Sequence, residues 1–441
     1  MLASSEFGAF GLPILGRSHS DPRRMIEKPE MPMRSAVVAP SDEVRYAALA
    51  ARVASEPASF PHVRALARGE GTSPAAVAAL LIRHGHLEPP AWLRRRRCRA
   101  AAGLLIDTRL SIPDIAAATG FADEAAFREQ FLAETRMPPE DYRRLGASNA
   151  FRLRLPGRYR VQDVLAYHGR DPASPSERVQ ERRLLKAITF GDRPAVLEIE
   201  LAGRNAQCHV HGRSRPSPAR MREAHAIAVR LLGLTADVRA FEARARRDPM
   251  LAPLVARRPG LHLPLTASVF DALCWAIIGQ QINLAFACAL RREILALAGS
   301  PIGDLIAHPT PARLAALDAA TLRRRRFSRS KAEYLLDTAA AVAAGRFDPE
   351  RLSERSAVEV EATFTSLRGI GTWTARYVMM RGVGFADAAP VGDVALAAAL
   401  ARCIGRSERP AADEVERLMQ PFSPYRSLAT FHLWASLRDE T

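Results

Sequence analysis

The sequence predicts a multidomain, mostly α-helical protein in which two all-α domains flank a small α+β domain. Its 441 residues exceed what one ordinary hydrophobic core accommodates. Helical periodicity dominates residues 42–145 and returns from about residue 218 to the end. The alternation of apolar and polar residues that is typical of strands is confined to 151–211. We therefore predict domain boundaries at 41–147, 148–217 and 218–441.

The segment before the first helical pattern, residues 1–40, is rich in Ser, Pro and Met and has no sustained period. We expect a disordered leader there.

Residues 41–147 contain two helix–turn–helix patterns joined by a long linking helix. The first begins an apolar helix with Ser73 as N-cap and Pro74 in the first turn, and both residues favour helix initiation. The second has its glycine turn at Gly120 and ends in a helix near Glu134. We predict an all-α, double helix–turn–helix domain.

The middle of the chain combines strands with one helix. Gly191-Asp192 suits a turn before the second strand. The predicted strands are Phe151–Leu155, Ala195–Leu201 and Gln207–His211, and the helix lies near Val161–His168.

The charge is strongly positive, with 63 Lys+Arg against 47 Asp+Glu and a net charge of +16. Such a balance favours a polyanion partner, most commonly nucleic acid. The three lysines are Lys28, Lys186 and Lys331. A GC-rich genome that encodes arginine freely therefore explains the charge equally well, and charge alone does not decide between them.

Five scattered cysteines without a C-x-x-C pair argue against a zinc site or a cysteine-ligated iron–sulfur cluster. They fit a reducing cytoplasm. No apolar run is long enough to span a bilayer, and no signal-peptide pattern begins the chain.

The segment Leu367–Ala375 predicts a tight hairpin between two helices. Gly369 and Gly371 leave the backbone N–H groups unobstructed, and Thr372 begins the next helix. Such N–H groups can bind a phosphate. A Gly-x-Gly pair alone is a weak signal, because most such pairs are ordinary turns.

Asp393 lies twenty residues after Trp373 and is the one acidic residue within 390–396. Helix capping explains most aspartates at helix starts. The functional alternative is compatible with capping, because a helix N-terminus favours negative charge and a carboxylate facing a cavity can stabilise a cationic transition state.

The hairpin and the Gly-Asp pair resemble the helix–hairpin–helix DNA glycosylase superfamily. Other segments resemble its AlkA-type branch, the DNA-3-methyladenine glycosylases. Phe270–Leu273 leading to Gly279–Asn283 resembles the wedge loop, Ser330–Tyr334 the mid-domain helix, and Pro424–Trp434 the C-terminal helix. The resemblance covers about 150–441. It implies an all-α helix–hairpin–helix glycosylase domain, an AlkA-type α+β domain, and hydrolysis of the N-glycosidic bond of alkylated purines after base flipping.

The resemblance implies one catalytic carboxylate, Asp393, which would stabilise an oxocarbenium-like sugar and guide water to it. Trp373 stands where lyase-type relatives carry a Schiff-base lysine, so we expect a monofunctional enzyme without lyase activity. Aromatic side chains would stack on the flipped, positively charged base, although helical spacing is ordinarily explained by core packing. The residues expected in this base pocket are Trp373, Tyr377, Trp434 and Tyr167.

Gln281 matches the wedge that fills the gap left by the flipped base. An ordinary exposed glutamine is the alternative. No cofactor is required, but the resemblance implies a monovalent or divalent ion at hairpin carbonyls, which here are those of Thr365, Leu367 and Ile370.

The N-terminal third resembles the AraC-type DNA-binding domain over residues 65–90 and 110–144. In Ada-like proteins such a domain accompanies a methyltransferase module, which is missing here because residues 1–97 contain no cysteine. The predicted recognition helices carry few Arg, Asn or Gln side chains. The domain therefore either binds DNA with little specificity through Arg94–Arg97 and Arg99 or is a remnant, and a solvated helix face is an equal alternative.

Together these features predict a base-excision repair glycosylase that acts on double-stranded DNA containing alkylated bases such as 3-methyladenine and 7-methylguanine. We expect a monomer in the bacterial cytoplasm, associated with the nucleoid and not with a membrane. The alternative is an Ada-like transcriptional regulator of the alkylation response with a damage-sensing, glycosylase-like domain. A bifunctional glycosylase/lyase is disfavoured by the absence of a hairpin lysine.

Overall fold

Helices make up most of the chain in the computed structural model, which describes residues 41–438. The leader predicted over 1–40 lies outside the described residues. The helices are α1 (Asp42–Ser55), α2 (Val63–Gly69), α3 (Pro74–Gly85), α4 (Pro89–Asp107), α5 (Ile112–Ala118), α6 (Glu124–Thr135), α7 (Pro139–Arg143), α8 (Val161–His168), α9 (Pro218–Leu231), α10 (Val238–Ala245), α11 (Leu251–Arg257), α12 (Val269–Gly279), α13 (Leu284–Ala298), α14 (Pro311–Ala315), α15 (Ala319–Arg324), α16 (Arg329–Ala343), α17 (Ala357–Thr365), α18 (Thr372–Val378), α19 (Val394–Cys403), α20 (Ala412–Met419) and α21 (Arg426–Ser436).

The strands fall in the middle of the chain, apart from one short ribbon. They are β1 (Ala150–Arg154), β2 (Glu177–Gln180), β3 (Arg183–Phe190), β4 (Arg193–Ala202), β5 (Asn205–His211), β6 (Ser300–Ile302) and β7 (Leu305–Ala307). A π-helical turn, Met379–Val383, continues α18. The predicted fold class, a mostly α multidomain protein with one small α+β domain, is confirmed.

The N-terminal domain is built from two small helical cores. Leu49, Leu66 and Trp92 belong to the first core, and Phe127 and Phe131 to the second. The side chain of Ser73 caps α3 as predicted, accepting a hydrogen bond from the amide of Ala76 at 3.2 Å. The linking helix α4 passes between the two cores and contributes to both.

The arginine run of α4 ties the N-terminal domain to the rest of the chain. Arg95 donates to the carbonyl oxygen of Thr235 at 2.7 Å. Arg99 pairs with Glu354 at 2.9 Å. Arg97 is buried and donates to the carbonyl of a residue in its own domain, Phe60. Arg95 and Arg97 are therefore engaged within the protein, whereas the side chain of Arg99 stays half exposed, and a contact of this run with DNA stays a prediction.

The middle domain is an antiparallel sheet in the order β1-β5-β4-β3-β2. The three predicted strands and the helix α8 are present, and Gly191 makes the β3–β4 turn with φ of +64°. Strands β2 and β3 were not predicted. Helix α9 packs on this sheet through Met221, Ala224 and other residues, although the predicted boundary at 217 assigns it to the next domain.

A buried ionic cluster joins the sheet to the C-terminal domain. Arg291 of α13 lies 3.2 Å from both Asp271 of α12 and Glu177 of β2. Glu177 also accepts from Lys186 of β3 at 2.9 Å. Burial alone would raise the pKa of Asp271, but Arg291 outweighs it and lowers this pKa. Paired charges of this kind resist separation, because either partner alone would be left buried and uncompensated.

The C-terminal domain surrounds the apolar helix α12, which packs against α13, α16, α18 and the π-helical turn. Within residues 41–438 no helix has both the length and the apolar content needed to cross a bilayer. The carboxyl end of α12 points towards the segment between α17 and α18, where the predicted hairpin lies.

Candidate active site

The predicted hairpin connects α17 to α18, and its two glycines have different physical roles. Gly369 adopts φ of +80°, and a Cβ atom there would lie 2.2 Å from the ring of Tyr334. Gly371 has no atom within 4 Å of a Cβ position, so its missing side chain leaves open space outside the protein. Gly369 is therefore required by the fold, whereas the fold places no steric demand on Gly371.

The start of α18 is suited to an anion. Its N-cap is Gly371, and no side chain caps the helix. The first amide N–H groups of a helix lack intrahelical acceptors and carry a partial positive charge. Thr372, the first residue of the helix, is exposed. The predicted backbone-binding residues thus lie together on one open surface.

Asp393 caps α19 and binds two tryptophans. Its Oδ1 accepts from the amide of Leu396 at 2.7 Å and from Nε1 of Trp434 at 2.9 Å. Its Oδ2 accepts from Nε1 of Trp373 at 3.2 Å. The capping and functional interpretations are therefore compatible, because the same carboxylate caps the helix and joins two of the expected base-pocket residues.

The aromatic residues form one cluster around this carboxylate. The ring of Tyr377 lies 5.6 Å from Trp373 and 6.2 Å from Trp434, measured between centroids. Its hydroxyl accepts from Nε1 of Trp275 at 3.0 Å. All four side chains are half-buried, so they present aromatic surface without being sealed in the core. Three of the four tryptophans of the chain therefore meet here.

Tyr167 lies beside this cluster, in a different environment. The guanidinium groups of Arg170 and Arg381 lie over its ring at 4.0 and 4.1 Å. Burial would raise the pKa of Tyr167, but these two charges lower it overall. Two cations already stack on the ring, and the expectation that Tyr167 stacks on a flipped base stays a prediction.

The predicted wedge residue Gln281 lies at the tip of the loop between α12 and α13. It is exposed and adopts φ of +56°, a left-handed conformation that is uncommon outside glycine. The preceding Gln280 connects this loop to the hairpin, donating from Nε2 to the carbonyl of Gly369 at 2.9 Å and to the hydroxyl of Thr374 at 3.0 Å. Wedge loop and hairpin therefore form one unit.

Lys331 of α16 holds the wedge loop from the other side. Its ammonium donates to the carbonyl oxygens of Ile277, Ile278 and Gln280 at 3.2, 2.8 and 2.6 Å. These groups belong to the last turn of α12 and the loop after it, where helical carbonyls lack intrahelical donors. Burial lowers the pKa of Lys331 to about 8.

The hairpin carbonyls of Thr365, Leu367 and Ile370 are the groups expected to bind an ion. The carbonyl of Leu367 accepts the amide of Ile370 at 3.1 Å, and a carbonyl oxygen has a second lone pair that stays available. Across the described part of the chain no group of three or more His, Cys, Asp or Glu side chains is placed to bind a metal.

Comparison with known families assigns all three domains. The helix-turn-helix domain model matches residues 66–145, the AlkA N-terminal domain model matches 150–268, and the model of the HhH-GPD superfamily of base excision DNA repair proteins matches 274–424. The last match includes the hairpin and Asp393. The chain therefore contains a helix-turn-helix domain, an AlkA N-terminal domain and an HhH-GPD domain. The predicted DNA glycosylase with a fused AraC-type domain is thereby confirmed, and DNA is its partner.

Individual relatives agree with the family. A DNA-3-methyladenine glycosylase of Bacillus subtilis (strain 168) is 28% identical over 292 residues, which are 65% of this chain and 96% of the relative. A protein of Mycobacterium tuberculosis (strain H37Rv), named as a probable bifunctional transcriptional activator/DNA repair enzyme AlkA, is 26% identical over 79% of this chain and 71% of its own. The 3-methyladenine DNA-glycosylase structure from Archaeoglobus fulgidus superposes with a TM-score of 0.58 at 23% identity, covering 66% of this chain and 100% of its own, and supports the fold.

Three residues of this AlkA-type site were missed in the sequence: Trp275, Gln280 and Lys331. Trp275 orients Tyr377, Gln280 joins the wedge loop to the hairpin, and Lys331 supports that loop. Gln280 and Lys331 belong to the motifs that carry the resemblance, but their partners lie far away in sequence. The sequence signal that could have identified Lys331 is its rarity, because it is one of three lysines.

Proposed function

We propose that this enzyme flips alkylated purines out of double-stranded DNA and hydrolyses their N-glycosidic bond without lyase activity. The observation that carries the proposal is the bonding of Asp393, whose two oxygens are held by the indole N–H groups of Trp373 and Trp434. A carboxylate fixed to two aromatic walls places negative charge directly beside the space where a stacked base would sit. A purely structural N-cap needs no such aromatic partners.

The chemistry requires little from the protein because an alkylated purine is already a good leaving group. As the bond from C1′ to the purine nitrogen breaks, its electron pair leaves with the cationic base, which departs neutral. The developing positive charge on the sugar is stabilised by Asp393. Water then adds to C1′, and its proton passes to the solvent through the same carboxylate.

The aromatic cluster would bind the flipped base. Trp373, Tyr377 and Trp434 present electron-rich faces, and a cationic purine over such a face gains about 1–2 kcal/mol when water is excluded. Stacking without base-specific hydrogen bonds tolerates several lesions. We infer a range that includes 3-methyladenine and 7-methylguanine.

The hairpin would bind the DNA backbone, and the wedge would keep the duplex open where the base is flipped out. The amides after Gly369 and Gly371, with Thr372, would bind a phosphate, and Gln281 would fill the gap left by the base. An ion held by the carbonyls of Thr365, Leu367 and Ile370 would add positive charge near that phosphate. We propose that the protein acts as a monomer on nucleoid DNA in the cytoplasm.

The test is base release from methylated duplex DNA. The wild-type protein should release 3-methyladenine, and Asp393→Asn should slow release at least about a hundredfold, because the neutral amide no longer offsets the charge on the sugar. Asp123→Asn is the matched control, since Asp123 caps α6 through a bond to the amide of Ala126 at the same 2.7 Å. It should release base at the wild-type rate.

Binding measurements separate the alternatives. If the wild type and Asp393→Asn both bind methylated DNA and neither releases base, the damage-sensing regulator is favoured over the enzyme. If Asp393→Asn releases base as fast as the wild type, the catalytic role of this carboxylate is wrong. Strand cleavage at the product site by the wild type would contradict the absence of lyase activity.

A further inference from the structure

Four consecutive arginines, Arg323 to Arg326, form the end of α15 and the start of its connection to α16, and all four are exposed. We call them the arginine loop. The HhH-GPD model spans this segment, but neither the hairpin nor the wedge includes it. The proposed hydrolysis gives these four arginines no role, so it does not account for the positive charge concentrated here.

Most charge in the arginine loop is not neutralised by the protein. Arg325 pairs with Glu293 at 3.2 Å, and Arg324 donates to the hydroxyl of Thr321 at 2.8 Å. Within residues 41–438, Arg323 and Arg326 have no carboxylate within 4.0 Å. The contrast with α4 is clear, because Arg95 and Arg99 there are paired with acids or carbonyls.

Arg326 is also held in an unfavourable backbone conformation. Its φ is +66°, in the left-handed region where a side chain is disfavoured and glycine is not. The position ends the turn after α15 and needs only a residue that tolerates this φ. Arginine there costs stability that glycine would not, and such strain is characteristic of positions that serve a function.

The arginine loop lies next to the wedge. The guanidinium of Arg326 lies 5.4 Å from the ring centroid of Phe286, in the first turn of α13. That turn directly follows the wedge loop, whose tip is Gln281. Lys331, five residues after Arg326, bonds the carbonyl of Gln280 in the same loop. Two independent contacts therefore place the arginine loop and the wedge side by side.

We propose that the arginine loop is a second contact with the DNA backbone, beside the wedge and separate from the hairpin. This inference rests on the proposed function, because the wedge needs a duplex to enter. A guanidinium stacked on an aromatic ring keeps its N–H groups free at its edge, where they match phosphate oxygens. Arg326 would thus be held by Phe286 next to the position of the flipped nucleotide, and Arg323 would add charge to the same loop.

The test compares two substitutions at one position. Arg326→Gly and Arg326→Ala both remove the guanidinium, but only glycine relieves the left-handed strain. Both should weaken binding to a duplex with a stable abasic-site analogue severalfold. Both should also reduce the slope of log K against log salt by about one, the contribution of one phosphate contact. Only Arg326→Gly should raise the melting temperature.

Arg346→Ala is the control for charge. Arg346 is exposed and follows α16, whereas Arg326 precedes it, and the 15 residues of that helix span about 22 Å. Its substitution should leave the affinity and the salt slope at wild-type values. If Arg326→Gly stabilises the protein but leaves the affinity and the salt slope unchanged, the arginine loop does not contact DNA.

Base release is measured separately on the same preparations. If the wild type binds the duplex but releases no base, the proposed hydrolysis fails while the binding data still decide the arginine loop. If base is released normally and Arg326→Gly binds like the wild type, the arginine loop fails and the hydrolysis stands.

Discussion

Replacing Lys331 by methionine should loosen the loop that carries the proposed wedge residue Gln281 and leave Asp393, the proposed catalytic carboxylate, in place. The ammonium of Lys331 donates to three carbonyls at the end of α12 and in the wedge loop. Methionine fills a similar volume but donates no hydrogen bond. The carbonyl of Gln280 would lose its partner, and the loop that carries Gln281 would lose one of its two attachments.

The magnitude follows from these contacts. Hydrogen bonds to a charged donor contribute about 1.5–3 kcal/mol each. Burial of the ammonium, which lowers the pKa of Lys331 to about 8, offsets part of this gain. The net loss of unfolding free energy for Lys331→Met should therefore be about 3 kcal/mol, measured by chemical denaturation.

The functional assay compares two substrates on one preparation. The wedge matters for a lesion paired in a duplex and not for one in a single strand, because only the duplex must be opened. The ratio of duplex to single-strand release rates should fall about tenfold, which corresponds to about 1.4 kcal/mol of the flipping cost. This ratio does not depend on the fraction of folded enzyme.

Lys186→Met is the matched control, because Lys186 is the other lysine among the described residues and is also buried. It should destabilise the protein but leave the substrate ratio unchanged. If Lys331→Met lowered release from both substrates equally, Lys331 would support the fold in general and not the wedge.

Three further predictions follow from the same structure. Gly371→Ala should leave the melting temperature unchanged and weaken duplex binding severalfold, whereas Gly369→Ala should destabilise the protein by several kcal/mol because the new Cβ overlaps Tyr334; equal melting temperatures would contradict this. Trp275→Phe removes the bond to the Tyr377 hydroxyl and should slow base release about tenfold with little change in unfolding free energy, checked by single-turnover kinetics. Five buried or half-buried histidines have a pKa lowered by burial from 6.5 to about 4, so the unfolded state binds their protons at a higher pH than the folded state. The unfolding free energy, measured by urea denaturation, should therefore be constant above about pH 6.5 and fall towards about pH 4 by up to about 1.4 kcal/mol per pH unit for each histidine. A flat profile would exclude their contribution. These histidines are His86, His225, His262, His308 and His432.

The parts of the site that the sequence predicts are those in which chemistry and local structure share a segment. Gly369 and Gly371 separate two helical patterns, and Asp393 begins the next apolar helix. These local patterns therefore predict both the hairpin and the helix cap. That Trp373 and Trp434 share a pocket was expected only through the resemblance, and their hydrogen bonds to Asp393 were not predicted, because Trp434 lies 41 residues after Asp393. Periodicity does not reveal which distant helices meet.

The missed strands have a physical explanation. Strand β3 carries Lys186 at a buried position, where an alternating pattern requires an apolar residue. The lysine is tolerated because Glu177 in the neighbouring strand β2 neutralises it at 2.9 Å. Lys186 and Glu177 each interrupt the apolar alternation of their own strand. Their pairing becomes apparent only when the two strands are aligned in the sheet.

The arginine run of α4 and the arginine loop look alike in the sequence, since each has four consecutive arginines. The structure separates them by their partners. Arg95 and Arg99 find acceptors about 140 and 255 residues away. Arg323 and Arg326 find no carboxylate within the described residues. Whether an arginine cluster is a domain interface or a binding surface is decided by tertiary contacts, which local composition does not encode.

The preference for arginine makes the net charge a poor guide to the binding partner, but it makes the position of each lysine informative. A chain that uses arginine for nearly all of its basic residues has Lys186 and Lys331 at buried positions, 3% and 9% exposed. A guanidinium is planar and directs its N–H groups within one plane, whereas an ammonium is compact and can satisfy three carbonyls that converge from different directions. The geometry around Lys331 is of the second kind. Lys331→Arg should therefore keep the charge but fail to restore the substrate ratio, and full restoration by arginine would show that charge, not shape, selects lysine there.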